Sequence, residues 1–386
     1  MKIGLDARWI FRELSGIGSY TRELIRQLAR LAPAPDLVLY FQDPALRDRT
    51  AAETGFNQAP HIAARLLPYG LFSVRNQWLL PRRLAEDGVE VFHSPNYMIP
   101  LRAFPRRRPG RIRCVVTIHD LIPLMHPDAA PRARKRRFFA VYRRLMLEVA
   151  ARADLVLTDS RSGRQDAIRC LGLAPERVLA IPLGVRPAFQ PAAGPRTARS
   201  RKTLLWVGRA DPYKNLAGMI EAFARLRRKS DQPVELRVVC PADARYPEAA
   251  RRAAELGLGP SVVWLGYVPD NRLLEEYRGA DVFIQTSRHE GFGLPVLEAM
   301  ACGTPVVCSD RGSLPEVAGP AALFASPDDP DAVAEAVRRV LDDPRLAGDL
   351  RARGLRQAQA FTWEACARRT LAAYAQAAAL EGLRDA

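Results

Sequence analysis

Short apolar runs recur along the chain, separated by stretches in which apolar residues return every three or four positions. The first run, at 2–5, is followed after a loop by a predicted helix over 19–31, with Leu24, Ile25, Leu28 and Leu31 at helical spacing. Further strands are predicted at 37–41, 89–93, 115–119 and 154–158, each flanked by polar or turn residues. From 181 the rhythm breaks. The text IPLGVRPAFQPAAGPRTARSRK brings Pro182, Pro187, Pro191 and Pro195 close together with little periodicity, which marks a linker. After it the alternation restarts, with strands predicted at 203–208, 236–239, 262–265, 282–286 and 306–309 and helices near 215–229, 294–301, 332–341 and 362–380. Apolar strands alternating with amphipathic helices specify parallel sheets covered by helices on both faces, so the class is α/β.

Composition narrows the picture. At 386 residues the chain is about twice the size of one hydrophobic core, so two domains are expected. With 48% hydrophobic and 26% charged residues it is neither a disordered chain nor a rod. No apolar run approaches the roughly 18 residues a membrane-spanning helix needs, and residues 1–6 read as a strand rather than a signal peptide. Six cysteines are scattered without a C-x-x-C, which fits buried thiols in a reducing compartment. The net charge of +16 calls for an anionic partner such as nucleic acid, phospholipid or nucleotide. It is unevenly placed: 31 basic against 17 acidic residues up to residue 190, and 27 against 25 beyond it.

Four segments put reactive side chains where a strand meets a helix. HEGFGLPVLEAM, residues 289–300, follows the 282–286 strand, with two glycines in a turn, Pro295 in a first helical turn and Gly303 as a helix stop. Such a loop presents free backbone N–H groups and the positive end of a helix dipole to a diphosphate or to sugar hydroxyls. Glu290 in the loop and Glu298 about one turn into the helix can face the same crevice at the carboxyl end of the sheet. VGRADPYKN, residues 207–215, places Arg209 and Lys214 on either side of a turn, two cations suited to a pyrophosphate leaving group. SGIGSYT, residues 15–21, reads as a tight turn in which Gly16 and Gly18 let a phosphate or sugar approach the backbone. Thr21 stands where a dinucleotide fingerprint needs its third glycine, which disfavours an oxidoreductase. VVTIHD, residues 115–120, sets His119 at the carboxyl end of an apolar strand, either filling a core or serving a site. Asp329-Pro330-Asp331, the only D-x-D, precedes a predicted helix and reads as a cap and turn rather than a metal site.

In order and spacing these segments resemble the retaining GT-B glycosyltransferases of family four, the former group 1 transferases. The resemblance covers nearly the whole chain, and its most specific element is the pair Glu290 and Glu298 with seven residues between them. It implies a GT-B fold, two Rossmann-like domains with parallel sheets facing across a cleft. An acceptor-side domain would span 1–183, a hinge-like linker 184–202 and a nucleotide-sugar-binding domain 203–361, with a helix at 362–386 crossing back onto the first. The family would give Arg209 and Lys214 the donor diphosphate and Glu298 the nucleotide ribose. Glu290, with backbone N–H groups near Phe292, Gly293 and Leu294, would orient the donor sugar. His119 would sit beside the reacting sugar, and Gly16 and Gly18 would shape the loop under the phosphates. No cofactor or metal is implied, the nucleotide sugar being a co-substrate. LDARWI, FHSPNYMIPL, TIHDLIP and GSLPEV are also similar to a bacterial mannosyltransferase branch that builds cell-surface polysaccharide such as lipopolysaccharide. That branch implies transfer of mannose from GDP-mannose to a lipid-linked or glycan acceptor. The alternatives are a UDP-sugar-dependent transferase of glucose or N-acetylglucosamine and a non-catalytic sugar- or nucleic-acid-binding clamp. Relatives often carry a glycine-rich turn after the 236–239 strand, whereas this chain has Cys240-Pro241-Ala242-Asp243, which leaves the base open.

Residues 101–150 carry 13 basic side chains against Asp120, Asp128 and Glu148. A helix predicted over 131–146 would align Phe138, Tyr142, Leu145 and Val149, with Arg132, Arg134, Lys135, Arg136 and Arg137 crowding its N-terminal turns. The helix dipole opposes cations there by roughly 0.3–1 kcal/mol each. These residues and Phe138 are expected to meet an anionic membrane surface; a lipid-linked acceptor and a merely solvated face are the alternatives. The expected location is therefore cytoplasmic, peripheral on the inner face of the cytoplasmic membrane, with no nucleic-acid partner. Lys214→Ala is expected to lower turnover by orders of magnitude with the fold intact.

Overall fold

The computed structural model describes residues 1–13, 15–106, 110–126, 138–194, 201–230 and 232–380. Within these the chain forms two compact units. Unit 1 comprises Met1–Leu121, Phe138–Gly184 and Trp363–Ala386, and unit 2 comprises Ile122–Arg137 and Val185–Thr362.

Among the described residues, unit 1 is built on seven parallel strands: β1 (Lys2–Asp6), β2 (Asp36–Phe41), β3 (Ile62–Leu66), β4 (Val91–Ser94), β5 (Arg113–Thr117), β6 (Leu155–Thr158) and β7 (Val178–Ala180). Their order is β3-β2-β1-β4-β5-β6-β7. Unit 2 is built on six: β8 (Lys202–Val207), β9 (Val234–Val239), β10 (Val262–Trp264), β11 (Val282–Gln285), β12 (Val306–Ser309) and β13 (Ala322–Ala325). They are ordered β10-β9-β8-β11-β12-β13, again all parallel. Both are doubly wound orders, in which the chain reverses direction of travel beside the first strand. Ligands of such sheets bind at that switch point, outside the carboxyl ends of the strands. It lies between β1 and β4 in unit 1, where Leu5 pairs with His93, and between β8 and β11 in unit 2, where Leu205 pairs with Phe283.

The central strands are apolar throughout because helices cover both faces. Every residue of β4, β6, β11 and β12 is buried. In unit 2 the helix Leu216–Lys229 packs Leu216, Met219, Ile220, Phe223 and Leu226 against Leu204, Leu236, Val238 and Ile284. The three strands that the apolar pattern does not reveal, β3, β7 and β13, are all at sheet edges. An edge strand is only partly covered, so β3 (IAARL) is half-exposed and its run is broken by Arg65, while β7 (VLA) and β13 (ALFA) are apolar but only three and four residues long.

Several boundaries differ from expectation. The first helix is Gly16–Leu28, capped by Ser15, whose Oγ accepts from the Gly18 N–H at 3.2 Å. Gly16 and Gly18 therefore sit in its first turn and do not form a loop ahead of it. The helix Phe139–Arg152 buries Tyr142, Met146, Val149 and Ala150, so Phe138 and Leu145 are not part of its buried face, and Phe138 is 59% exposed. Arg132, Arg134, Lys135, Arg136 and Arg137 lie outside the described residues. Asp329 caps the helix Pro330–Asp342 by accepting from the Asp331 and Ala332 N–H groups, with Pro330 in the first turn. The helix Trp363–Ala379 belongs to unit 1, where it packs on helix Gly16–Leu28 and on β5. Its Tyr374 hydroxyl bonds His93 Nδ1 at 2.6 Å.

Candidate active site

The switch point of unit 2 brings two of the sequence-nominated residues together, Lys214 and Glu290. After β8 the chain runs through a short 3-10 turn, Pro212–Lys214, into Asn215, the one non-glycine residue among those described with positive φ (56°). That conformation is unfavourable for most side chains and is held here by two contacts. Asn215 Nδ2 donates to the Pro327 carbonyl at 2.7 Å, and Thr286 Oγ1 donates to the Asn215 carbonyl at 3.1 Å. The Arg288 N–H donates to the Tyr213 carbonyl at 2.8 Å. The loop after β8 is thus stitched to the loop after β11, and Lys214 meets Glu290.

Lys214 Nζ donates to both Glu290 oxygens at 2.7 Å. Glu290 is 7% exposed, and its Oε1 also accepts from Ser287 Oγ at 2.6 Å and Gln285 Nε2 at 3.0 Å. Two of the three ammonium protons go to the carboxylate, which leaves one for an arriving oxyanion. The backbone of the loop is fixed from β12's side: Ser313 Oγ lies 3.0 Å from the Glu290 carbonyl and 2.6 Å from that of Phe292. Gly312 (φ +60°) is required there, since a Cβ would come within 2.9 Å of the Glu290 nitrogen. Gly293 (φ +110°) then turns the chain into helix Leu294–Ala301, whose N-terminus no side chain caps. Phe292 is buried against Phe361. Arg209 is exposed and pairs with Asp211 at 3.0 Å.

Glu298 lies in that helix and accepts from the Tyr277 hydroxyl at 3.0 Å. Burial pushes its carboxyl up to about 7, against the opposing effect of the Arg186 charge and the tyrosine hydrogen bond. Arg186, in turn, stacks on Phe189, which packs edge-on to Tyr277.

In unit 1 His119 follows β5, and the neighbouring strand ends close around it. Its Nδ1 bonds Asp159 Oδ2 at 2.8 Å, just beyond β6, and its Nε2 lies 3.0 Å from the Pro95 carbonyl, just beyond β4. With Asp159 ionised both partners are acceptors and both ring nitrogens carry protons; burial raises the Asp159 carboxyl, and the His119 charge and hydrogen bond work against that rise. Burial alone lowers the imidazole pKa. The Asp159 charge and hydrogen bond, the Pro95 carbonyl and Asp120 together outweigh it and raise it. The Tyr20 ring packs edge-on against His119 at 4.9 Å. Gly16 and Gly18 are on the same helix as Tyr20, in this unit.

Two family models match the chain in succession: Glycosyltransferase Family 4 over residues 14–189 and Glycosyl transferases group 1 over residues 193–357. The chain is 31% identical over 404 residues to the O-antigen chain mannosyltransferase B of Escherichia coli, an alignment covering 97% of this chain and 99% of that one. The chain belongs to the group 1, family 4 glycosyltransferases. This glycosyltransferase is also 36% identical over 237 residues to the MMP alpha-(1->4)-mannosyltransferase of Mycolicibacterium hassiacum, covering 60% of this chain and 56% of that one. Its fold is similar to that of sucrose-phosphate synthase from Thermosynechococcus elongatus (TM-score 0.75, 23% identity, 97% and 98% of the two chains). It is similar too to Anabaena HepE in complex with UDP and glucose (TM-score 0.72, 17% identity, 97% and 100%). The fold is GT-B, and the oxidoreductase and binding-clamp readings give way to the transferase.

The sequence motifs thus marked Lys214 and Glu290, which the structure joins, and Glu298, which meets Tyr277; Asn215 and Ser313 stood inside the quoted segments VGRADPYKN and GSLPEV without a role, and Ser287 and Gln285 went unmarked. Among the described residues no group of three His, Cys, Asp or Glu side chains could hold a metal ion, and no helix is long and apolar enough to cross a membrane.

Proposed function

We propose that this glycosyltransferase moves mannose from GDP-mannose to a lipid-linked or glycan acceptor in cell-surface polysaccharide synthesis, with retention and without a metal ion. The observation that carries the reading is the Lys214–Glu290 pair at the β8/β11 switch point. It sets a cation beside a carboxylate at the mouth of an uncapped helix N-terminus. Lys214 and Arg209 stabilise charge as it develops on the leaving diphosphate. Glu290 and the amides of Phe292, Gly293 and Leu294 orient the sugar hydroxyls, and Glu298 accepts from the ribose. The bond from the anomeric carbon to the phosphate oxygen breaks, and the acceptor oxygen bonds to that carbon on the same face. The acceptor's proton passes to the departing diphosphate. His119 contributes a fixed positive charge rather than a proton shuttle. The names of the Escherichia coli and Mycolicibacterium hassiacum relatives support mannose. The basic sequence at Arg132, Arg134, Lys135, Arg136 and Arg137 supports a peripheral position on the inner face of the cytoplasmic membrane.

A thermal-shift panel of GDP-mannose, UDP-glucose, UDP-N-acetylglucosamine and ADP-glucose tests the donor, because a ligand that binds only the folded state raises the melting temperature. GDP-mannose is expected to give the largest rise. A larger rise with a UDP-sugar overturns the donor assignment, and an inverted anomeric signal in the product's NMR spectrum overturns retention. Turnover unchanged by EDTA is the expected result for a metal-free reaction.

The panel also carries a pH prediction. With its carboxyl near pH 7, Glu298 is protonated below that pH and ionised above it. Ribose hydroxyls donate to the ionised form, so donor binding must release a proton at low pH. Donor affinity is expected to rise by up to about tenfold per pH unit as pH approaches 7 from below, and then to level off. Without donor the sign for stability is opposite: the folded state holds a proton that the unfolded chain has released, so stability falls as pH climbs towards 7. Glu298→Gln is expected to flatten the affinity profile. A wild-type profile already flat across pH 5.5–8 in isothermal titration removes the ribose role.

A further inference from the structure

Unit 1 exposes large apolar side chains on two loops that leave the carboxyl ends of β1 and β3. Phe11 is 42% exposed, Phe72 66%, Val74 72%, Trp78 51% and Leu79 44%. Exposed aromatic groups in such number are uncommon away from interaction surfaces. They do not sit on slack chain. Arg8 clasps Asp6 through two hydrogen bonds (2.8 and 2.7 Å), and both side chains are buried. The same guanidinium donates to Asn76 Oδ1 at 2.9 Å, and Asn76 Nδ2 donates to the Leu71 carbonyl at 3.3 Å, which locks the second loop to the first. Trp9, itself buried, meets Phe11 on one side and Phe72 on another, edge to face at 6.3 and 6.2 Å. Arg49 holds the tip of the first loop through the Phe11 and Arg12 carbonyls. A rigid scaffold therefore presents these rings to solvent.

We infer that this platform is a second membrane-docking surface, which seats on a bilayer rich in anionic phospholipid. The inference rests on the peripheral-membrane part of the reading above but uses none of the basic residues 132–137. Charge complementarity points to an anionic surface: Arg75 and Arg102 are exposed on the platform against Glu13, while Arg12 pairs with Asp43 at 3.8 Å. The Arg102 guanidinium lies 4.1 Å from the Trp78 ring centroid, a cation held over an amphipathic ring of the kind that settles at headgroup depth. A sugar chain fits less well. Sugar hydroxyls need acceptors as well as ring faces, whereas this surface adds the aliphatic Val74 and Leu79 and offers mostly guanidinium donors.

The test uses the full chain and vesicles of pure phosphatidylcholine or of phosphatidylcholine rich in phosphatidylglycerol. Wild-type protein is expected to float with the anionic vesicles at low salt and to be released by high salt. Phe72→Ser/Trp78→Ser is expected to weaken that partitioning by about tenfold or more, with an unchanged melting temperature and unchanged transfer to a soluble acceptor. Trp78→Phe provides a fold-neutral second measurement: wild type should show a blue shift of tryptophan emission on anionic vesicles that this variant loses. Equal flotation of wild type and the double variant, or no blue shift assignable to Trp78, overturns the inference. So does a raised KM for a soluble glycan acceptor with vesicle binding untouched, since the platform would then hold sugar. Platform-dependent flotation by a protein that transfers no sugar would uphold the docking surface while sinking the proposed reaction.

Discussion

Lys214→Ala is expected to lower turnover by about two to three orders of magnitude, the usual loss when one fixed donor to a developing oxyanion is removed. It is also expected to weaken the fold. Lys214 is the cationic partner of a buried carboxylate, and removing one member of a buried pair costs roughly 3–5 kcal/mol. Glu290 keeps Ser287 and Gln285 as donors and Lys214 is partly solvated, so the lower end of that range applies. The sequence alone suggested an intact fold, and the ion pair corrects it: a loss of activity in the alanine variant would mix lost chemistry with lost structure. Lys214→Met combined with Glu290→Gln separates them, because an amide in place of the carboxylate no longer strands a charge. Urea unfolding should show stability largely restored in the double variant, while steady-state kinetics should show turnover still depressed at least a hundredfold. Transfer at near wild-type rate by the alanine variant would falsify the leaving-group role.

The reasons why some of this was legible in the chain and some was not are physical. Central strands such as β6 and β12 must be apolar on both faces, and that requirement writes them into the sequence as short runs. The edge strand β3 carries no such requirement and its run is broken by Arg65, while the run of β13, ALFA, is too short to tell from a turn of helix. Glycine-bearing strand-to-helix junctions announce themselves because few other residues tolerate their backbone geometry, which is how the loop of Glu290 and the stop at Gly303 could be placed. Ser15 shows the limit of the same signal: it caps the helix one residue before Gly16, so glycines that resemble a loop are in fact helical. Partnerships across the sheet are another matter. Lys214 and Glu290 are 76 residues apart, and only the adjacency of β8 and β11 brings their loops together. Each was recognisable alone as a charged residue near a strand end. That they neutralise one another was not, and this changes what a substitution at either would do.

The aromatic platform is a further case. In a linear reading Phe11, Phe72 and Trp78 count towards a core as the buried Trp9 does, since large apolar side chains usually go inside. Only the buried Asp6–Arg8–Asn76 clasp reveals that their loops are braced with the rings of Phe11, Phe72 and Trp78 outward. The surplus of positive charge in the first 190 residues has a matching asymmetry in exposed apolar groups, and both are properties of the part of the chain that forms most of unit 1.

Asp159→Asn is expected to convert His119 from a cation into a neutral imidazole at neutral pH. In the wild type Nδ1 lies 2.8 Å from Asp159 and Nε2 3.0 Å from the Pro95 carbonyl, and with Asp159 ionised only the imidazolium donates to both. The groups around it are Asp159, Asp120 and the Tyr20 ring, with the buried His93 beyond, and of these the carboxylates favour the charge. Burial opposes it. With Asp159 gone, burial dominates and the pKa should fall below the ordinary histidine value of about 6.5. The sign for stability follows from the raised value in the folded wild type. The pair contributes fully below about pH 6.5, where the unfolded chain is also protonated, and the contribution is lost as pH rises through the folded-state value. At pH 6 the variant should be less stable than the wild type, and the gap should narrow as pH rises. A heteronuclear NMR titration of the histidine side chains reads the protonation directly, and the pH profile of kcat/KM should show its alkaline limb move to lower pH in the variant. A merely structural Asp159 would lower stability without moving that limb. A wild-type His119 that titrates at or below 6.5 would show that the ring is an ordinary histidine and that its role as a fixed cation is mistaken.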